Sequence, residues 1–349
     1  VGAGTQDTYQ GGVNATSHLD NLQISAYANF MRTDGDNIAR TGAEDDGYDN
    51  ATAGINANYI ASKTHRFSVN LRAVDYKNDY DGTDFVTTGL PADADNVTDG
   101  KQLSTKLAWE YSPVNSAYRS ILSSQFRQDK NDNLTSGNDA GGTTGERIEL
   151  NWTNFYTFDN WQVAGGVEYL QRLFEQRGPV DFGDPNQKQH DNTQSVFAEL
   201  TGELTSSLVA TISARFDNNS EFDNATSYRT GLNWQLTDTY AVFGSIGKAV
   251  KTPTFTERFG YYPATFIGNP DLEPETSEEW EVGIKANWRQ FNGQVSVYGA
   301  DLESEINGFV FVPELGNFSA ANVDGESARD GVDVSLDWLS DFGKLSANY

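Results

Sequence analysis

Arg66-Phe67-Ser68-Val69-Asn70-Leu71-Arg72-Ala73-Val74-Asp75-Tyr76 decides the fold. Phe67, Val69, Leu71 and Ala73 share one face; Arg66, Ser68, Asn70 and Arg72 share the other. A period of two belongs to a pleated strand with one apolar face, because a helix repeats every 3.6 residues. The pattern recurs along the chain. In 21–31, Leu22, Ile24, Ala26, Ala28 and Phe30 oppose Gln23, Ser25, Tyr27 and Asn29. In 278–289, Trp280, Val282, Ile284, Ala286 and Trp288 oppose Glu279, Glu281, Lys285, Asn287 and Arg289. Similar stretches fall near 9–17, 50–61, 101–112, 117–130, 145–158, 161–175, 193–205, 208–218, 226–237, 240–251, 293–306 and 327–339. Helical periodicity is almost absent, so the chain reads as all-β.

The connections alternate as well. Short turns fall at 62–64, 112–115, 159–160, 205–207, 237–238 and 341–343, and long polar loops near 35–49, 80–100, 131–145, 176–192, 252–276 and 307–326. Short turns at one end and long loops at the other are the pattern of an outer-membrane barrel, and strands of about ten residues are long enough to cross a bilayer. Trp109, Trp161, Trp234, Trp288 and Trp338 lie near short turns on the apolar face, as an interfacial aromatic girdle requires. A propeller or β-helix would show a fixed repeat, which is absent here. A large sandwich would not confine long loops to one end.

Composition narrows the function. The chain carries 24 Lys+Arg against 50 Asp+Glu, a net charge of −26, which excludes nucleic-acid binding through a basic surface. Zero Cys removes thiol chemistry, and His18, His65 and His190, far apart in sequence, leave little for a zinc site or a hydrolytic set. No apolar run is long enough for a spanning helix. The expectation is therefore that the protein is not an enzyme.

Counting from a partial strand at 1–4 to one at 344–349 gives about 17 strands. Single-chain bacterial barrels have even numbers, and 22-stranded ones carry a plugged lumen. The reading is a transmembrane antiparallel β-barrel of the 22-stranded type. Residues 1–349 are expected to form its partial barrel domain, with the N-terminal plug and the C-terminal strands expected outside this chain.

One segment is distinctive. It runs Gly247-Lys248-Ala249-Val250-Lys251-Thr252-Pro253-Thr254-Phe255-Thr256-Glu257-Arg258-Phe259-Gly260-Tyr261-Tyr262. Gly268-Asn269-Pro270-Asp271-Leu272-Glu273-Pro274-Glu275 follows, then Trp280-Glu281. Pro253, Glu257 and Gly260, then Gly268, Asn269, Pro270, Leu272, Pro274, Glu275, Trp280 and Glu281, resemble the barrel signature of TonB-dependent outer-membrane receptors. Thr256 departs from it, standing where an apolar or aromatic residue is usual. Read without the resemblance, the prolines and Gly-Asn-Pro fix turns, an architectural role.

Within that family the chain looks most like the cobalamin (vitamin B12) receptors, in the order of strand lengths and in Ser327-Ala328-Arg329-Asp330-Gly331-Val332 leading into a late strand. The resemblance implies a Gram-negative outer-membrane location amid lipid and lipopolysaccharide. It implies capture of a scarce nutrient by loops and plug, and energy from the TonB-ExbB-ExbD complex acting on the plug. Cobalamin is the expected cargo; a ferric siderophore or haem is the alternative. A passive porin-like channel is a further one.

Two loops are dense in carboxylates: Asp34, Asp36, Glu44, Asp45, Asp46 and Asp49, then Asp79, Asp81, Asp84, Asp93, Asp95 and Asp99. Calcium takes six to eight oxygen ligands from such loops, although solvated acidic loops also occur without one. The resemblance implies calcium ligands at Asp36, Glu44, Asp46, Tyr80 and Asp81, with Glu44 replacing an Asp. Tyr261, Tyr262 and Phe266 are candidates for cargo contact, or equally for packing against neighbouring loops. The polar strand face, with Arg66, Arg72, Lys106, Arg119, Arg127, Glu149, Glu168, Glu199, Glu203, Arg215, Arg229, Glu279, Glu281 and Lys285, suits a wet lumen.

Overall fold

The structure, a computed structural model, describes all residues except 40, 41, 43, 85, 86 and 182. Its strands are β1 (Gly2–Ala3), β2 (Tyr9–Leu19), β3 (Leu22–Thr33), β4 (Tyr48–Ile60), β5 (His65–Thr83), β6 (Pro91–Tyr111), β7 (Tyr118–Thr135), β8 (Asn138–Phe158), β9 (Trp161–Arg177) and β10 (Gln187–Thr205). They continue as β11 (Leu208–Asn219), β12 (Ala225–Gln235), β13 (Tyr240–Lys251), β14 (Glu275–Trp288), β15 (Phe291–Glu303), β16 (Ile306–Val312), β17 (Asn317–Asn322), β18 (Glu326–Ser340) and β19 (Gly343–Asn348). One short helix, α1 (Phe255–Phe259), precedes β14. Seventeen strands form one sheet, and β16 and β17 form a separate hairpin. Each strand pairs antiparallel with the next, and β15 pairs directly with β18, so the β16–β17 hairpin is an insertion between neighbours. An antiparallel sheet of this size with an apolar outer face is the transmembrane barrel expected from the alternation.

The registers show why the two faces differ. Arg72 lies opposite Ser104, and Glu168 opposite Asn151 and Ser195, so polar residues meet polar residues from strand to strand. The other face carries Leu107, Trp152, Val167, Val196, Ile212, Trp234, Val282 and Trp288, all exposed to the surroundings. In water such a surface would aggregate; in lipid it is the driving force for insertion. At the turn end, Trp288 stacks on Phe291 and Phe291 on Trp338, both at 6.2 Å, as interfacial rings do.

The opposite end departs from expectation. The segments 80–100 and 131–145, read as loops, are largely strand. β5 to β10 run 17 to 21 residues, whereas β11 to β13 run 11 or 12. A crossing needs about 10 residues, so these hairpins stand well clear of the bilayer. Between β7 and β8 only Ser136 and Gly137 remain as a turn. Beyond the membrane both faces of a hairpin meet water, so polar residues occupy both and the alternation that marks a strand vanishes. The segment 307–326 likewise holds the β16–β17 hairpin.

Candidate functional site at the barrel mouth

The signature segment folds into a cap. Thr254 starts α1 with its hydroxyl accepting from the Glu257 amide at 3.2 Å, and the Glu257 carboxylate accepts from the Thr254 amide at 2.7 Å. This reciprocal capping box gives Glu257 a structural task. Gly260 ends the turn at φ +82°, and a Cβ on it would lie 2.8 Å from the Gly268 amide nitrogen. A Cβ on Gly268 would lie 2.2 Å from the Gly260 nitrogen, so the two signature glycines permit one close crossing of the chain. Asn269 donates from its amide to Glu257 O at 2.8 Å and from its side chain to Ala320 O at 3.1 Å. Glu275 accepts from the Ile306 amide at 3.0 Å. Pro253 is buried, and Pro270 and Pro274 flank Leu272, which is 3% exposed and packs with Phe266, Ile306 and Ala320. Trp280 lies on the lipid face and Glu281 on the polar face of β14. The signature is thus a clasp between the loop before β14 and the inserted hairpin.

The cap reaches back across the opening to β8, β9 and β10. Gln176 donates to Tyr261 O at 2.6 Å, Gln187 to Gly260 O at 3.1 Å, and the Tyr262 hydroxyl to Ala140 O at 3.1 Å. Phe255 stacks on Phe174 at 5.8 Å. Arg258, buried, sits between the rings of Phe222 and Phe259 at 4.8 and 4.7 Å and pairs with Glu221 at 3.2 Å. Of the three candidate cargo-contact aromatics, Phe266 is buried and stacks on Phe309, Tyr262 is tied to the wall, and Tyr261 is 41% exposed. Burial pushes the Tyr261 hydroxyl up, and neighbouring Tyr262 and Tyr80 add to the shift, so the phenol stays neutral.

The acidic loops meet as a second cluster. Carboxylate oxygens of Glu44, Asp81 and Asp93 lie within 4.8 Å of one another. Asp81 stands at a β-bulge, where the register slips between Tyr80 and Gly82, and it accepts from the Ala39 amide at 2.7 Å and the Ala94 amide at 3.1 Å. Gly42, at φ +150°, brings the first loop against Asp93: a Cβ there would fall 1.7 Å from its carboxylate. Burial, then the charges of Asp93, Asp95, Asp81 and Asp46, raise the Glu44 carboxyl above its ordinary range. Of the five candidate ligands, Glu44 and Asp81 are brought together. Asp36 accepts from Gln6 at 2.6 Å, Asp46 accepts from the Ile38 amide at 3.0 Å, and Tyr80 neighbours Tyr261. Asp93 takes a place in the cluster that sequence reasoning did not single out; only its position opposite the bulge marks it. Asn37 donates to Asp93 at 3.2 Å, and its own Oδ1 is buried with no partner among the described residues. Three carboxylates beside an orphaned amide oxygen form an all-oxygen donor set, which fits a hard divalent cation such as calcium and not a soft metal.

Below the mouth the polar face lines a cavity of about 940 Å³, with Glu168, Glu199, Arg215, Arg229, Glu279 and Glu281 on its wall. Arg215 bridges Glu168 at 2.7 Å, Asp217 at 2.8 Å and Ser195 at 2.7 Å. The three histidines stay apart: His65 stacks on Trp109 at the turn end, His18 lies in β2 and His190 in β10.

Residues 2–349 match the model described as TonB dependent receptor-like, beta-barrel, and the chain belongs to that family. It is an outer-membrane protein, and the family is one of receptors and transporters. Similar solved structures include the siderophore receptor PirA of Acinetobacter baumannii, with TM-score 0.77 and 18% identity over 98% of this chain and 59% of that one. A mutant of the ferric enterobactin receptor PfeA of Pseudomonas aeruginosa gives TM-score 0.75 and 16% identity over 98% and 58%. The copper transporter OprC gives TM-score 0.77 and 13% identity over 98% and 59%. At these identities the likeness is one of fold. The chain spans about three-fifths of the length of those chains.

Proposed function

We propose that this barrel serves TonB-dependent active uptake of a scarce metal-bearing nutrient across the outer membrane. The family match over residues 2–349 carries the reading. In this account loops and plug capture the cargo, and the TonB-ExbB-ExbD complex works through the plug. A ferric siderophore is the leading cargo, since two of the similar structures are receptors whose names specify a siderophore or ferric enterobactin. The acidic mouth narrows that class to chelates of low negative charge, because clustered carboxylates repel a polyanion.

Cobalamin is the second reading, and a specific observation favours it. The resemblance implied a calcium site in the acidic loops, and Glu44 and Asp81 do meet there, with Asp93. A cation held by these residues would neutralise the rim and fix the two loops beside Tyr80 and Tyr261. Equilibrium binding by the full-length receptor separates the readings. The panel holds a hydroxamate ferric siderophore, ferric enterobactin and cyanocobalamin, each with and without millimolar calcium. Submicromolar binding of the hydroxamate chelate supports the first reading. Calcium-dependent binding of cyanocobalamin alone supports the second, and no binding by any member removes both.

A further inference from the structure

The luminal wall carries a row of arginines that folding alone does not ask for. Arg72 is paired with Ser104, Ser104 with Arg127, Arg127 with Arg147, and Arg147 with Arg172. These are directly opposite residues on β5, β6, β7, β8 and β9, so their side chains share one face. That face is the luminal one, because Arg172 and the cavity residue Glu168 are four residues apart on β9. Like charges directly opposite each other destabilise a sheet. In a chain of net charge −26, three consecutive facing arginines are a feature to explain.

Three of the four guanidiniums are each held in place by a carboxylate. Arg127 grips Asp129 through Nε at 2.7 Å and Nη2 at 3.0 Å. Arg147 grips Glu149 through Nε at 3.3 Å and Nη2 at 2.8 Å. Arg172 grips Asp191 through Nε at 2.8 Å and Nη2 at 2.5 Å. In all three the same edge is used, and Nη1 makes no hydrogen bond among the described residues. Their side chains remain 54%, 47% and 30% exposed, and Arg72 forms no ion pair there.

The row also has a direction. Arg72 is seven residues above the turn end of β5, and Arg172 is eleven above that of β9, where its Nη2 lies 3.5 Å from the Thr252 hydroxyl of the cap. Five strands at the usual spacing make a ramp about 19 Å wide, rising from the upper half of the crossing to the mouth.

We propose that this row is a track of weak oxyanion sites, which carries the one or two carboxylate or phosphate groups of a cargo of low net charge from the mouth into the barrel. This rests on the uptake reading above. Each free Nη1 edge offers donors in the planar geometry that oxyanions fit. The paired carboxylates make each site weak. Passage requires sites that bind and release in sequence, whereas a row of bare arginines would trap its guest. Half-neutralised, pre-positioned guanidiniums therefore suit transit better than permanent docking of an acidic domain.

Inorganic phosphate is the probe. It is titrated into the full-length detergent-solubilised receptor and followed by phosphorus NMR line broadening. The charge-matched variant R127Q/D129N/R147Q/E149Q removes two forks without changing net charge; R127K/R147K keeps charge and loses the planar fork. Heat-modifiable electrophoretic mobility confirms that each variant is folded. The track predicts saturable millimolar binding in the wild type, weakened tenfold or more in both variants. Equal phosphate binding in wild type and charge-matched variant overturns it. So does unchanged phosphate binding joined to faster hydrogen exchange of the plug, which would make the row a docking surface. A failed cargo panel with intact phosphate binding removes the uptake reading and leaves the oxyanion sites standing.

Discussion

The mouth holds two regions built on opposite principles. The cap, from Thr252 to Glu275, closes on itself through a capping box, crossed glycines and a small apolar cluster. The acidic cluster of Glu44, Asp81 and Asp93 brings like charges together, and burial, then those charges, raise the Glu44 carboxyl. One region is complete in the chain as it stands. The other gains most from something added: a cation would turn its repulsion into coordination. The difference separates architecture from ligand dependence, and substitutions can test each side.

The largest effect is expected in the cap. Leu272→Ala opens a cavity among Phe266, Ile306 and Ala320 and should cost about 2–5 kcal/mol of local stability. Hydrogen exchange of amides 252–275 and 306–322 reads it; protection equal to the wild type would show that this cluster does not hold the cap. Arg258→Ala removes the guanidinium between two rings and its pair with Glu221. A loss of about 2 kcal/mol is expected, read by the same exchange and confined to the cap. On the other side, chelation with EDTA should make the chain around Glu44 and Asp93 protease-sensitive while the cap stays resistant, and E44Q/D81N/D93N should abolish the response to calcium. Equal cleavage with and without calcium would erase the contrast. The smallest effect belongs to Thr254→Ala, about 1 kcal/mol from the lost cap, seen as faster exchange at the Glu257 amide.

Much of this was legible before the structure. Phe67 to Ala73 and its counterparts specify the membrane strands, because one face meets lipid and the other water. The signature residues Pro253, Glu257, Gly260, Gly268 and Asn269 announce the cap, since caps and crossings accept few residue types. The upper parts of β5 to β8 were not legible, because outside the bilayer nothing forces the two faces to differ. The β16–β17 hairpin was missed although Phe309 and Phe311 alternate within it. Asp93 became a candidate only when the bulge at Asp81 set the register. The arginine row was invisible for the same reason: Arg72, Arg127, Arg147 and Arg172 are scattered in sequence, and only inter-strand register aligns them.

Energised transport is the direct test of this barrel's role. Cells lacking other receptors, carrying the full-length protein, take up iron-55 hydroxamate siderophore or cobalt-57 cyanocobalamin in the presence and absence of TonB. The account predicts that one of these accumulates against its gradient only when TonB is present. Uptake at the same rate without TonB, rising linearly with external concentration as through an open pore, would contradict it.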